Sequence, residues 1–267
     1  MPTLIAVLLF AACALAQSTT IGDYKFIVTP SRDGLMQDLV VMKQDKHVWD
    51  MSDYMVRVLN ADSLGLPNDL TGDRVRDAVV ETYSGGAHCC YALYVLSLGF
   101  NFEVLDTIEH AGRWSDRDDD GLWEVTAGDL TLDYWKLPHS DSPLPAVVLE
   151  ASRKGFVPVP ELMRMPEPSA LDVIALINAM RTANEWRDYD SQSEHEFLSA
   201  SHTLLHGRLV EMIYTGNAGI GIEMVKALWP PMIRGQQEYL LDLRNELAKS
   251  PYWDAIKELN KGTVFGE

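Results

Sequence analysis

The strongest chemical signal in the sequence is an acidic run, DRDDDGLWE, at residues 116–124. Its carboxylates at positions 1, 3, 5 and 9 belong to Asp116, Asp118, Asp120 and Glu124. Carboxylates at alternate positions of a tight loop can converge on one cation, and without a cation they repel one another. Gly121 permits the sharp turn that brings the carbonyl group of Leu122 inward as a further ligand. We therefore expect a calcium site here; the alternative is a solvated acidic turn, because Asp and Gly are ordinary turn residues.

A second copy of this spacing lies upstream in DLTGDRVRD, residues 69–77. Its candidate ligands, each 47 residues before its counterpart, are Asp69, Thr71, Asp73, Val75 and Asp77. Arg74 stands where the other loop has glycine, and Thr71 is a neutral ligand, so this copy would hold an ion with lower affinity. Two interpretations stay open: an occupied calcium loop, and a repeat that keeps the turn but has lost the ion.

Both loops lead directly into a β-like run, which indicates an internal repeat of loop and strands. The segments DLTGDRVRDAVVETYSGG and DRDDDGLWEVTAGD resemble the Asp-rich calcium loops of FG-GAP and VCBS-type repeats, which occur in integrin α-chains and in exported bacterial proteins. The order of loop, YSGGAHCC, loop, DYWK and SPLPAVVLE before a helical tail also resembles exported bacterial proteins with such repeats. The resemblance covers roughly residues 60–160 and implies calcium bound structurally between β-strands, by the ligands named above.

The resemblance does not extend to a closed propeller. Such a propeller has about four to eight blades. Only two loops are visible in the sequence, and the Phe-Gly and Gly-Ala-Pro segments of the integrin repeat are missing. We therefore expect blade-like antiparallel sheet.

The stretch YSGGAHCC, residues 83–90, places His88 beside the adjacent cysteines Cys89 and Cys90. Neighbouring Cα atoms lie about 3.8 Å apart, which is below the usual disulfide span of about 4.4–6.8 Å. A vicinal disulfide between these cysteines would therefore be strained. Buried free thiols, such a strained bond, ligation of a soft metal with His88, redox chemistry and a bond between subunits all stay open.

The elements that must position these residues are strands first and helices later. Runs such as YKFIV, DAVVETY, YALYVLSL and AVVLEA are bounded by Gly, Asp or Pro clusters and predict short antiparallel strands. After a proline-rich stretch at residues 157–169 the apolar period becomes helical. The expected fold class is α+β, with an antiparallel β-rich domain at residues 17–160 and a small α-helical domain at residues 161–267.

In the helical part, Ser169 and Asp172 form a capping-box pattern at the start of a helix. Four apolar side chains recur on one face of this helix and are expected in the core: Leu171, Ile174, Ile177 and Met180. His202 and His206 share a face of a later helix, but the residues between them lack the glutamate of the zinc-protease motif. We expect ordinary helix histidines there.

The first twenty residues, MPTLIAVLLFAACALAQSTT, contain an apolar run that ends in Ala14-Leu15-Ala16. This pattern is typical of a secretory signal peptide, residues 1–16, and the run is shorter than the roughly 20 residues that cross a bilayer. We expect a periplasmic or secreted protein with no transmembrane segment in its mature chain. A lipoprotein attached through Cys13 is the second interpretation.

The net charge of −17 leaves no basic patch for phosphates, which argues against a nucleic-acid partner. Grouped carboxylates suit hard cations such as calcium instead. The function expected is that of an exported calcium-binding β-repeat protein with a binding or scaffold role, whose partner would be a protein or a glycan. The alternatives are an exported hydrolase with an acidic cleft between the β and helical domains, and a thiol-redox protein that uses the cysteine pair.

Overall fold

The computed structural model describes residues 16–59, 68–86, 91–152, 155–191, 198–262 and 264–266. Within these ranges the strands lie before residue 159 and the α-helices begin at residue 160. The protein therefore has the predicted α+β class, with its strands in the N-terminal part.

Twelve strands in the described ranges form three antiparallel sheets of four. The first sheet contains β1 (Gln17–Ile21), β2 (Tyr24–Pro30), β3 (Gln37–Lys43) and β4 (Lys46–Asp53). The second contains β5 (Met55–Leu59), β6 (Asp77–Tyr83), β7 (Tyr91–Leu98) and β8 (Phe102–Glu109). The third contains β9 (Ala111–Ser115), β10 (Glu124–Gly128), β11 (Ala146–Ser152) and β12 (Gly155–Pro158). In every sheet each strand pairs with the next one along the chain, as in a propeller blade.

The inner strands of the second sheet follow their sequence patterns closely. The runs DAVVETY and YALYVLSL coincide residue for residue with β6 and β7. Ala78, Val79 and Val80 are consecutive and all buried, so both faces of β6 are covered. A continuous apolar run is the pattern expected of such a strand.

The chain divides into two compact units: Met1–Asp69 with Arg74–Thr107, and Leu70–Asp73 with Ile108–Glu267. The first unit holds β1 to β7 and most of β8. Its core consists of apolar side chains from both sheets, and those with no exposed surface include Phe26, Leu39, Val41, Val80 and Leu96. Alternation along β2 and β3 directs Phe26, Leu39 and Val41 to one face of the first sheet.

The second unit holds the third sheet and the helices. The helices are α1 (Pro160–Met163), α2 (Ala170–Ala183), α3 (Ala200–Tyr214), α4 (Ala218–Leu228), α5 (Gln236–Leu247) and α6 (Trp253–Leu259). Short 3₁₀ turns occur at His139–Asp141 and Val264–Gly266. The helical core includes the fully buried side chains Leu209, Ile213, Leu243, Leu247 and Ile256. No helix in the described ranges is long and apolar enough to cross a bilayer.

Asp129, immediately after β10, connects the third sheet to the helices. Its buried carboxylate accepts hydrogen bonds from the hydroxyl of Tyr214 at 2.6 Å and the hydroxyl of Ser250 at 2.5 Å. The backbone N–H of Thr131 donates a further bond at 2.8 Å. The sequence predicts a domain boundary at residue 160, where the strands end and the helices begin. The compact unit, however, includes both the third sheet and the helices, which these hydrogen bonds join.

The prediction for α2 is confirmed at its start and wrong along its face. Ser169 accepts a hydrogen bond from the backbone of Asp172, whose side chain accepts from the backbone of Ser169, so the capping box is present. Met180 is buried, but Leu171 is 76% exposed and Ile174 is 52% exposed. The helix packs against α3, and its buried residue, Met180, lies near its C-terminal end.

Candidate metal centre

The loop between β9 and β10 brings three carboxylates together. Asp116, Asp118 and Asp120 each offer an oxygen atom, and these atoms lie within 4.8 Å of one another. Among the residues that the structure describes, they form the only such group of three or more Asp, Glu, His or Cys side chains. Asp118 and Asp120 are exposed and Asp116 is half-buried, so a cation could reach the group from solvent.

Hydrogen bonds within the loop hold these carboxylates in place. Asp116 accepts one bond from the N–H of Asp120 at 3.2 Å and another from that of Gly121 at 3.1 Å. Asp120 accepts from the N–H of Leu122 at 2.7 Å. Gly121 has a φ of +91°, a left-handed conformation that glycine adopts without strain. The aspartates therefore both shape the turn and present oxygen atoms toward a common point.

Glu124, the fourth carboxylate predicted for the loop, lies outside this group of three. It is the first residue of β10 and has no exposed surface. Its Oε2 atom accepts a hydrogen bond from the N–H of Arg117 at 2.7 Å, and its Oε1 atom has no hydrogen-bond partner in the described structure. Burial raises the pKa of Glu124, and the three loop aspartates raise it further. A buried carboxylate oxygen without a partner is costly, and a cation bound beside it would remove that cost.

Glu150 is a carboxylate near this group that the sequence analysis did not identify. It lies on β11 directly opposite Glu124, so both side chains are on the same face of the third sheet. Burial raises the pKa of Glu150, with further contributions from Asp120, Glu124 and Asp118. Aligning the runs WEVTAG and AVVLEA as an antiparallel pair would have placed these two glutamates together, but the register could not be chosen from the sequence.

The upstream loop has the same backbone as the acidic loop. Asp69 accepts a hydrogen bond from the N–H of Arg74 at 2.7 Å, which corresponds to the bond between Asp116 and Gly121. The φ angles of Gly72 and Arg74 are both +68°. Their counterparts in the downstream loop, Asp119 and Gly121, have φ angles of +60° and +91°. Each loop also ends at a buried carboxylate that begins a strand, Asp77 at β6 and Glu124 at β10. The internal repeat is therefore visible in backbone geometry.

The two loops differ in their carboxylates. Three carboxylates converge in the downstream loop, and the described residues of the upstream loop form no comparable group of three. Gly72 lies against Leu122, since a Cβ atom at Gly72 would come within 3.1 Å of the leucine side chain. Calcium ligation in the upstream loop, by Asp69, Thr71, Asp73, Val75 and Asp77, stays a prediction.

The residues around the cysteine pair are described only in part. β6 ends at Tyr83, whose hydroxyl donates to the carbonyl of Gly86 at 2.6 Å, and Gly85 has a φ of +89°. The left-handed conformation of Gly85 therefore changes the direction of the chain directly after β6. His88, Cys89 and Cys90 lie outside the described residues, as do Cys13 and all but the last residue of the predicted signal peptide.

His202 and His206 lie one turn apart on α3 and are buried. Their Nδ1 atoms are hydrogen-bonded to Ser199 at 2.7 Å and to Tyr239 at 3.0 Å, and their Nε2 atoms have no partner in the described structure. Burial lowers the pKa of His202 to about 4 and that of His206 to about 3. The ring of His202 lies 4.4 Å from that of Trp229, between centroids. Both imidazoles are neutral members of an aromatic core.

Comparisons of the chain with protein-family models, with curated proteins and with solved structures find no match. The chemistry of the centre is therefore interpreted from its own residues.

Proposed function

We propose that the protein binds a structural calcium ion in the loop at residues 116–124 and acts as an exported binding or scaffold protein. One observation carries the proposal: the oxygens of Asp116, Asp118 and Asp120 lie within 4.8 Å of one another. The same loop ends at the buried Glu124, whose Oε1 atom has no hydrogen-bond partner in the described structure. The carbonyl of Leu122 is the further ligand expected from the loop spacing.

The donor atoms favour calcium over the common alternatives. All the side-chain donors of the group are carboxylate oxygens, which suit hard cations, whereas zinc and copper sites use His and Cys ligands. Ligands at alternate positions of a loop suit the large and variable shell of Ca²⁺. The ion would neutralise part of the charge that now raises the pKa of Glu124.

The wider role follows from the repeat and the expected export. Two of the four-stranded meanders carry an Asp-rich loop between their first and second strands, which supports a relationship to FG-GAP or VCBS-type repeats. Outside the cell, calcium is abundant enough to saturate even loops of modest affinity, about 10⁻⁴–10⁻³ M. A calcium-stiffened β-repeat with a protein or glycan partner is the role that we propose.

Thermal and chemical unfolding in calcium and in EGTA tests the proposal. Calcium at about 100 times its Kd should raise the free energy of unfolding by about 2.7 kcal/mol. Asp118→Asn should abolish most of this gain. Asp119→Asn is the matched control, because Asp119 is exposed, lies outside the converging group and loses the same charge. Unfolding curves of the unchanged protein that coincide in calcium and EGTA would contradict the proposal.

The hydrolase alternative has little support in the described residues. Ser199 and His202 are hydrogen-bonded, but the serine hydroxyl donates to the carbonyl of Glu185 at 2.9 Å, so it is not aimed at the imidazole as a base. A cavity of about 420 Å³ beside β11 and α3 is largely apolar and is not an acidic cleft. Its charged lining residues are Arg117 and Glu211.

A further inference from the structure

The loop alone provides too few ligands for a complete calcium shell. Its expected donors are the carboxylates of Asp116, Asp118, Asp120 and Glu124 and the carbonyl of Leu122, and the three aspartate side chains already converge. Several oxygens are already engaged: Asp120 Oδ1 accepts from the N–H of Leu122, and Glu124 Oε2 accepts from that of Arg117. One oxygen from each donor makes five ligands, whereas Ca²⁺ takes about six to eight.

Glu150 lies near the loop carboxylates, although its own carboxylate is outside the group of three whose oxygens lie within 4.8 Å of one another. It pairs directly with Glu124 in the register of β10 and β11, so the two side chains project from the same face with Cβ atoms about 4.5–5.5 Å apart. Glu150 is half-buried, and its carboxylate is close enough to Asp120 and Asp118 for their charges to act on it. Its carboxylate makes no hydrogen bond or ion pair with a described residue.

Without a cation this arrangement is unfavourable in itself. Like charges directly opposite each other on neighbouring antiparallel strands destabilise a sheet. Here the pair also lies next to three loop aspartates, and one member, Glu124, is fully buried with an unpartnered oxygen. A divalent ion between the loop and β11 would turn this repulsion into ligation.

We propose that Glu150 is a ligand of the ion bound by the loop at residues 116–124, and that it makes the site selective for Ca²⁺ over Mg²⁺. This inference rests on the proposed function. Mg²⁺ demands a small octahedral shell and keeps several of its waters, so a shell filled by protein oxygens favours Ca²⁺. The ion would then connect the loop and β10 to β11.

Isothermal titration calorimetry with CaCl₂ and with MgCl₂ tests the inference on the purified full chain after removal of bound metal. Glu150→Gln should weaken calcium binding about tenfold or more and weaken magnesium binding less. Glu150→Asp keeps the charge but withdraws the oxygen by one methylene group, so it should also weaken calcium binding. Glu103→Gln, on the exposed part of β8, is the control for the loss of one negative charge and should bind as the unchanged protein does.

The outcomes separate this inference from the proposed function. If the unchanged protein binds no calcium, the proposed function fails. If it binds calcium and Glu150→Gln binds equally well, Glu150 is not a ligand and the inference alone is overturned. If Glu150→Asp retains full affinity while Glu150→Gln loses it, Glu150 acts only as a nearby charge, which also overturns the inference. In EGTA, Glu150→Gln should unfold at a denaturant concentration no lower than that of the unchanged protein. A lower midpoint would show that the substitution damages the fold itself.

Discussion

Arg74 and Gly121 occupy the same backbone position in two loops that lie 47 residues apart. Both residues have left-handed φ angles, +68° and +91°. Each also donates its N–H to the carboxylate of the first aspartate of its loop, Asp69 or Asp116. The repeated turn is therefore retained even where glycine is replaced by a residue that does not favour this conformation.

Arg74→Gly should stabilise the protein. The left-handed conformation costs a non-glycine residue about 1–2 kcal/mol, and glycine gives back about 0.4–1 kcal/mol through the entropy of the unfolded chain. The expected net gain is up to about 1 kcal/mol, measured by urea unfolding. The reciprocal variant Gly121→Arg should lose up to about 1 kcal/mol for the same two reasons, and a stabilising effect of Gly121→Arg would contradict this account.

Glu124→Gln should have opposite effects with and without calcium. In EGTA it removes a buried charge from a group of carboxylates and should stabilise the protein by about 1 kcal/mol. In calcium it removes a ligand, so most of the calcium-dependent gain in unfolding free energy should disappear. Urea unfolding in the two buffers measures both effects, with Glu103→Gln as the control.

The raised pKa of Glu124 predicts that the stability of the calcium-free protein depends on pH. In the native state the pKa of Glu124 is raised above its usual value of 4.5. The contribution of this residue to the free energy of unfolding is therefore fully present below pH 4.5 and is lost as the pH rises through the native pKa. Unfolding in EGTA at a series of pH values should show this loss, and Glu124→Gln should lack it. An unchanged pH profile in Glu124→Gln would exclude the residue as its source.

His202 and His206 should make the protein less stable in acid. Their native pKa values are lowered to about 4 and about 3 from 6.5, so below pH 6.5 the unfolded chain binds protons that the native protein does not. Stability should fall by up to about 1.4 kcal/mol per pH unit for each histidine. The fall continues to about pH 4 for His202 and about pH 3 for His206.

Denaturant unfolding between pH 7.5 and 5 measures this dependence. His206→Gln, which is neutral at every pH, should reduce the slope by the share of one histidine. The control is His47→Gln, because His47 is largely exposed on β4. Equal slopes in His206→Gln and the unchanged protein would show that His206 does not contribute.

Asp129→Asn should destabilise the second unit strongly. The carboxylate accepts hydrogen bonds from Tyr214, Ser250 and Thr131, and hydrogen bonds to a charged group contribute about 1.5–3 kcal/mol each. We expect a loss of about 2–3 kcal/mol in urea unfolding. Tyr214→Phe removes a single bond and should cost less than Asp129→Asn; the reverse order would contradict the role given to Asp129.

Features that depend on neighbouring residues could be predicted from the sequence. The alternate carboxylates of Asp116, Asp118 and Asp120, the turn at Gly121 and the capping box at Ser169 each involve groups fewer than ten residues apart. Backbone conformation and local hydrogen bonds fix such motifs, so spacing alone indicates them. The bounds of β6 and β7 could be predicted for a similar reason, because a continuous or alternating apolar pattern reports the burial of a strand.

Features that depend on distant pairing could not be predicted. Glu150 is a neighbour of Glu124 only through the register of β10 and β11, and a shift of one residue would move it to the other face of the sheet. The bond between Tyr214 and Asp129 joins positions 85 residues apart, and it groups the third sheet with the helices. Leu171 is exposed although it lies on the apolar face of its helix. Periodicity shows which face of a helix is apolar, but it does not show how much of that face a neighbouring element covers. Sequence spacing therefore identified the loop that could hold an ion, and the strand register placed Glu150 opposite Glu124 at the end of that loop.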